Sequence, residues 1–124
     1  MKRTIDVDLP WPPRGLSPNA RMNRLAKAQL FKRTKMAAFI ATAAALKGRP
    51  AAVQSATTVN VKLICTPPVL RYRDEDNLLA NCKATLDGIA QKLGVDDHWF
   101  HFLEQEWNDP EAPGRLVVRV EWEE

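Results

Sequence analysis

The chain has 124 residues, 45% of them hydrophobic and 27% charged, with a formal net charge of +3. That length fits one compact domain with a single core. Its two cysteines are too few for a disulfide framework or a zinc knuckle, and no apolar run approaches the ~18 residues of a membrane span, so the sequence predicts a cytoplasmic protein, no membrane partner, and reduced Cys65 and Cys82 inside the core.

In chain order, Ile5, Val7 and Leu9 alternate with Thr4, Asp6 and Asp8, the period of a half-buried strand. Pro10-Trp11-Pro12-Pro13 ends it, because proline lacks the ladder amide. Trp11 between prolines is expected to pack over the core edge. Ser17-Pro18-Asn19 offers two capping side chains and a first-turn proline, so a helix is predicted from there to Leu46, closed by Gly48-Arg49-Pro50. Met36, Phe39, Ile40, Ala43 and Leu46 form its expected core stripe. Lys32 and Arg33 interrupt that stripe toward Leu25 and Met22, which predicts a kink or a face turned to a partner.

Val59, Val61, Leu63 and Cys65 alternate as a second strand, ended by Pro67-Pro68. Leu79, Cys82, Leu86, Ile89 and Leu93 then step by three and four, a helix stopped by Gly94. Phe100 to Trp107 and Leu116 to Trp122 alternate as two more strands, joined by the loop from Asn108 to Gly114. The strands near Trp107 and Trp122 are candidate dimer surfaces, and a monomer would bury them equally well. The order gives an α/β fold of the mixed α+β kind: one domain, 1–124, with a mixed β-sheet packed against two main helices.

Charge is segregated along the chain. From Leu9 to Arg73 there are twelve Lys and Arg and no acid, whereas residues 74 to 124 hold thirteen acids against Lys83, Lys92, Arg115 and Arg119. Solubility needs interspersed charge, so this division points to a partner. A basic surface attracts a polyanion through its phosphates, and clustered carboxylates tolerate the same polyanion when a divalent cation lies between them. The combination suggests a metal-dependent enzyme acting on nucleic acid. Arg21, Arg24, Lys27, Lys32, Arg33, Arg71 and Arg73 are the candidate phosphate contacts, with Asn19 at the expected helix start as contact or cap.

The carboxylates that suit such chemistry are Asp74, Asp76 and the Asp96-Asp97 pair. Mg²⁺ prefers one or two carboxylates, waters and substrate, and in an extended segment Asp74 and Asp76 point to one side. On a continuous helix Asp76, Ala80, Lys83 and Asp87 share a stripe, but Asp87 lies roughly 16 Å along the axis from Asp76, too far to share one ion. Asp87 reads as a solvated helix residue or a structural hydrogen-bonder. Lys83 lies roughly 10 Å up the axis and its long side chain reaches back to a phosphate or to the carboxylates. His98 and His101 read as surface or interface residues.

Leu9-Pro10-Trp11-Pro12-Pro13, Ser17-Pro18-Asn19-Ala20-Arg21, Arg73-Asp74-x-Asp76-Asn77-Leu78, Lys83, Asp87 and Val95-Asp96-Asp97, in that order, resemble the RusA-type Holliday junction resolvases. The likeness runs from about Ile5 to the last strand. It implies a small, intertwined or sheet-paired α/β homodimer that uses Mg²⁺, or Mn²⁺ as a substitute, and no small-molecule cofactor. Such enzymes nick four-way DNA junctions symmetrically in recombination and repair. By motif position Asp74, Asp76 and Asp97 are then the essential carboxylates and metal ligands, and Lys83 the accessory cation. Leu79-Ala80-Asn81-Cys82 is extra relative to the family spacing and moves Lys83 nearly one turn along the axis. The alternative is a non-catalytic basic DNA-binding protein whose acidic turn is structural.

Overall fold

A computed structural model describes residues 1–17, 20–54, 58–70 and 75–124, with residues 75 and 76 described by their backbone alone. Strand β1 (Lys2–Pro10) is followed by a 3₁₀ turn (Arg14–Leu16), helix α1 (Arg24–Leu46), β2 (Val59–Thr66), α2 (Glu75–Asn81) and α3 (Lys83–Leu93). A second 3₁₀ turn (Asp97–Trp99), β3 (Phe100–Phe102), β4 (Glu106–Trp107) and β5 (Arg115–Glu123) complete it.

The five strands form one mixed sheet in the order β1-β5-β2-β3, with β4 beside β3 on the same flank of β2. β5 runs antiparallel to both of its neighbours, whereas β3 and β4 run parallel to β2. The last two strands, joined by the loop from Asn108 to Gly114, do not pair with each other, because β5 lies between β1 and β2. The single strand expected from Phe100 to Trp107 is two short pieces, pairing with Val59–Val61 and Ile64–Cys65.

Period-two patterning decides which face is covered. Ile5, Val7, Leu9, Val59, Val61, Leu63, Cys65, Leu116, Val118, Val120 and Trp122 are all buried, and the register stacks them on one side. The other face is polar and its charges pair across strands, with Arg119 against Asp6 at 2.9 Å and Lys62 against Glu106 at 3.3 Å. Trp122, for which a dimer surface and burial within the monomer were both open, is buried in its own core, with the Arg3 guanidinium over its ring at 5.5 Å. Trp107 packs edge-on against Trp11, ring centroids 6.1 Å apart, which closes the core edge as expected of Trp11.

The first helix starts later and is rolled differently from the sequence expectation. Asn23 caps it, accepting from the Ala26 amide at 2.7 Å, and Lys47 ends it in the left-handed conformation. Its buried residues are Ala38, Thr42 and Leu46, while Met36 and Ile40 are 57% and 61% exposed. The cause is the crossing with α3. A Cβ built on Gly88 would lie 2.2 Å from the Lys35 carbonyl oxygen and 3.0 Å from the Ala38 Cβ. At that separation only small side chains fit between the helices, so the alanine face turns inward and the larger apolar residues turn out.

The second predicted helix is two. Its stripe residues Cys82, Leu86, Ile89 and Leu93 are buried, and Gly94 stops it in the left-handed conformation, φ 73°. Cys82, φ −92° and ψ 5°, breaks the run between α2 and α3. Burial, with the neighbouring Cys65 as a lesser cause, pushes its thiol up to about 12. Among the described residues no helix is long and apolar enough to cross a membrane.

Candidate functional site

α3 and the turn after it carry the best-defined constellation of sequence-predicted residues. Lys83 is the first residue of α3 and Asp87 stands one turn further on, so their side chains share a face. Gly94 reverses the chain, and Asp97 opens the following 3₁₀ turn. The Lys83 ammonium donates to Asp87 Oδ1 at 3.2 Å and to Asp97 Oδ2 at 3.2 Å. One cation thus joins two carboxylates ten residues apart. Their hydrogen bonds, Asp87 first and Asp97 second, hold the Lys83 pKa above its ordinary value.

Lys83, expected to reach a phosphate or the carboxylates, meets Asp97, one of those carboxylates, together with Asp87 on its own helix. Asp87, expected as a solvated helix residue or a structural hydrogen-bonder, is the hydrogen-bonder, accepting from Lys83 at 3.2 Å. The signal was present in the sequence as the four-residue spacing of Lys83 and Asp87.

Asp96 and Asp97, left ambiguous by sequence, are held differently. Asp96 caps the 3₁₀ turn, accepting from the His98 amide at 2.9 Å, and lies 2.7 Å from His98 Nδ1. The amide bond, followed by the imidazole contact, lowers its pKa. Asp97 directs one oxygen to Lys83 and has its other 3.8 Å from His98 Nδ1. Donor atoms of Asp96, Asp97 and His98 fall within 4.8 Å of one another. The two carboxylates supply the hard oxygen donors that Mg²⁺ or Mn²⁺ takes, and the imidazole nitrogen suits Mn²⁺ better than Mg²⁺.

Asp74, Arg71, Arg73 and Asn19 lie outside the described residues, and Asp76 is placed by its backbone only, as the second residue of α2. The other cationic candidates lie along α1 and the segment before it. Arg21, Arg24, Lys32 and Arg33 are exposed and Lys27 is half-buried. Among the described residues, ion pairs hold Arg49 and Lys62, whereas none holds Arg24, Lys32, Arg33 or Lys35. The first turn of α1 contains no acid to offset its dipole.

α1 and α3 pack along each other: Gly88 meets Lys35 and Ala38, and one turn later Lys92 lies 5.3 Å over the Phe39 ring.

A comparison with curated proteins finds a protein of Xylella fastidiosa described as uncharacterized, 34% identical over 121 residues, covering 97% of this chain and 78% of that protein. The chain belongs to the same family as that protein. No family model matches the chain.

Proposed function

We propose that this protein is a divalent-metal-dependent DNA endonuclease of the RusA type, cutting four-way junctions by phosphodiester hydrolysis. The observation that carries the reading is the Lys83 ammonium held 3.2 Å from Asp97, because Asp97 occupies a motif position of that family, Lys83 matches its lysine at a shifted spacing, and the two lie fourteen residues apart. Asp74, Asp76 and Asp97 would hold Mg²⁺ or Mn²⁺, and the bound ion would polarise the phosphate and make water a better nucleophile.

The chain's own residues account for the rest. Lys83 offsets charge that builds on the phosphate in the transition state, an effect that is strong where donors are already in place. Arg21, Arg24, Lys27, Lys32 and Arg33 attract the DNA backbone, and Arg71, Arg73 and Asn19 extend that contact. The absence of acids from Leu9 to Arg73 supports this, since the surface of α1 then has no internal competitor for phosphate. A junction offers two equivalent strands, so the reading includes a two-fold homodimer with paired sites. DNA substrate and two free, buried cysteines are consistent with action in the cytoplasm.

The experiment is incubation of the purified protein with labelled four-way, three-way and linear duplex DNA, with and without Mg²⁺. Metal-dependent nicks on the four-way substrate are the expected outcome. Binding without nicks under every condition would favour a non-catalytic DNA-binding protein.

A further inference from the structure

Lys83 is 62% exposed in its side chain, and a lysine stem of four carbons samples many rotamers in water. Something must fix its ammonium. Asp97 alone serves poorly, since in the nuclease reading its oxygens are also metal donors. It also stands on the 3₁₀ turn that follows α3, whereas Asp87 stands on α3 itself, one turn from Lys83. The Asp87 side chain is only 25% exposed, against 38% for Asp97, so it is the better shielded of the two acceptors. Gly88, the next residue, is locked against the Lys35 backbone, which holds this part of α3 in place.

We infer that Asp87 is a positioning residue for strand cleavage, seating the Lys83 ammonium beside Asp97 so that it stays there when the Asp97 oxygens are engaged. The inference rests on the nuclease reading and adds a residue to it. The equal 3.2 Å separations show an ammonium shared between two seats and committed to neither. Asp87 touches no substrate in this account and acts only through Lys83. The structural competitor is an ordinary i,i+4 surface pair, which would contribute little to stability and nothing to rate.

The test uses the full chain, a labelled four-way junction and Mg²⁺, comparing wild type with Asp87→Asn, Asp87→Glu, Lys83→Met and the double variant Asp87→Asn/Lys83→Met. Removal of a group that orients a site residue typically costs about 10- to 100-fold. Asp87→Asn should lower kcat by about tenfold or more, leave KM for the junction within about twofold of wild type, and leave the melting temperature within about 2 °C. Asp87→Glu, which keeps the carboxylate, should recover most of the rate. The double variant should be no slower than Lys83→Met, because the two residues act as one unit. Wild-type kcat in Asp87→Asn, or losses that multiply in the double variant, would overturn the inference while leaving the nuclease reading intact. A wild-type protein that makes no nicks would overturn both.

Discussion

Gly88→Ala tests the helix crossing that sets the roll of α1 against α3. The added methyl would lie 2.2 Å from the Lys35 carbonyl oxygen, where ordinary contact begins near 3.4 Å. The obstacle is backbone, so no rotamer change relieves it, and α1 must move away by about 1 Å, a gap that forfeits a quarter to a half of each dispersion contact across the crossing. Overpacking of this kind costs about 3 kcal/mol at its upper end, while the helix propensity of alanine over glycine returns about 1 kcal/mol. The net is about 2 kcal/mol of destabilisation, or a melting temperature lowered by about 8 °C for a domain of this size. Thermal unfolding followed by circular dichroism reads it. The sign is decisive, because without the close crossing the same substitution should raise the melting temperature.

The roll of α1 also separates two residues of one predicted stripe. Ile40→Ser should change stability by less than about 0.5 kcal/mol, whereas Leu46→Ala, at a residue only 4% exposed, should cost about 2–5 kcal/mol in urea unfolding; equal losses at both would contradict the roll. Glu124 accepts from the Ala52 amide above all, then from Trp122, Arg3 and Arg49, and its pKa is lowered from 4.5 to about 2. A depressed folded pKa means stability present above pH 4.5 and lost as pH falls toward 2. Glu124→Gln should accordingly be less stable than wild type at pH 6 and approach it near pH 2, and a stability difference independent of pH across that range would refute the assignment.

Much of the architecture was legible because strand patterning is a local signal. The alternation of Ile5, Val7 and Leu9, of Val59 to Cys65, and of Leu116 to Trp122 marks the one covered face without ambiguity. Pairing order was not legible, since nothing local to Leu116–Trp122 states that it inserts between β1 and β2 instead of folding back on Phe100–Trp107. The roll of α1 was hidden for a related reason. Its alanines carry little hydrophobic signal, and the advantage of turning them inward appears only when Gly88 of α3 approaches Lys35. The helix break at Cys82 lies inside an unbroken apolar period, so the spacing of Leu79, Cys82 and Leu86 concealed it.

Within the candidate site, the sequence distinguished carboxylates by motif position but could not distinguish Asp96 from Asp97. The difference is made by the turn, in which Asp96 accepts the His98 amide and so becomes its cap, leaving Asp97 for Lys83. The rise calculation asked only whether Asp87 shares an ion with Asp76 and left its pairing with Lys83 unread. A four-residue Lys-Asp spacing was the better guide, because it depends on one turn of backbone only.

The central claim is that Asp97 belongs to a metal-dependent nuclease site, and it is tested most directly by Asp97→Asn on a labelled four-way junction with Mg²⁺. The account predicts that the variant binds the junction as tightly as wild type in a gel-shift assay while its nicking falls by at least about 100-fold. Nicking at the wild-type rate in Asp97→Asn would contradict it.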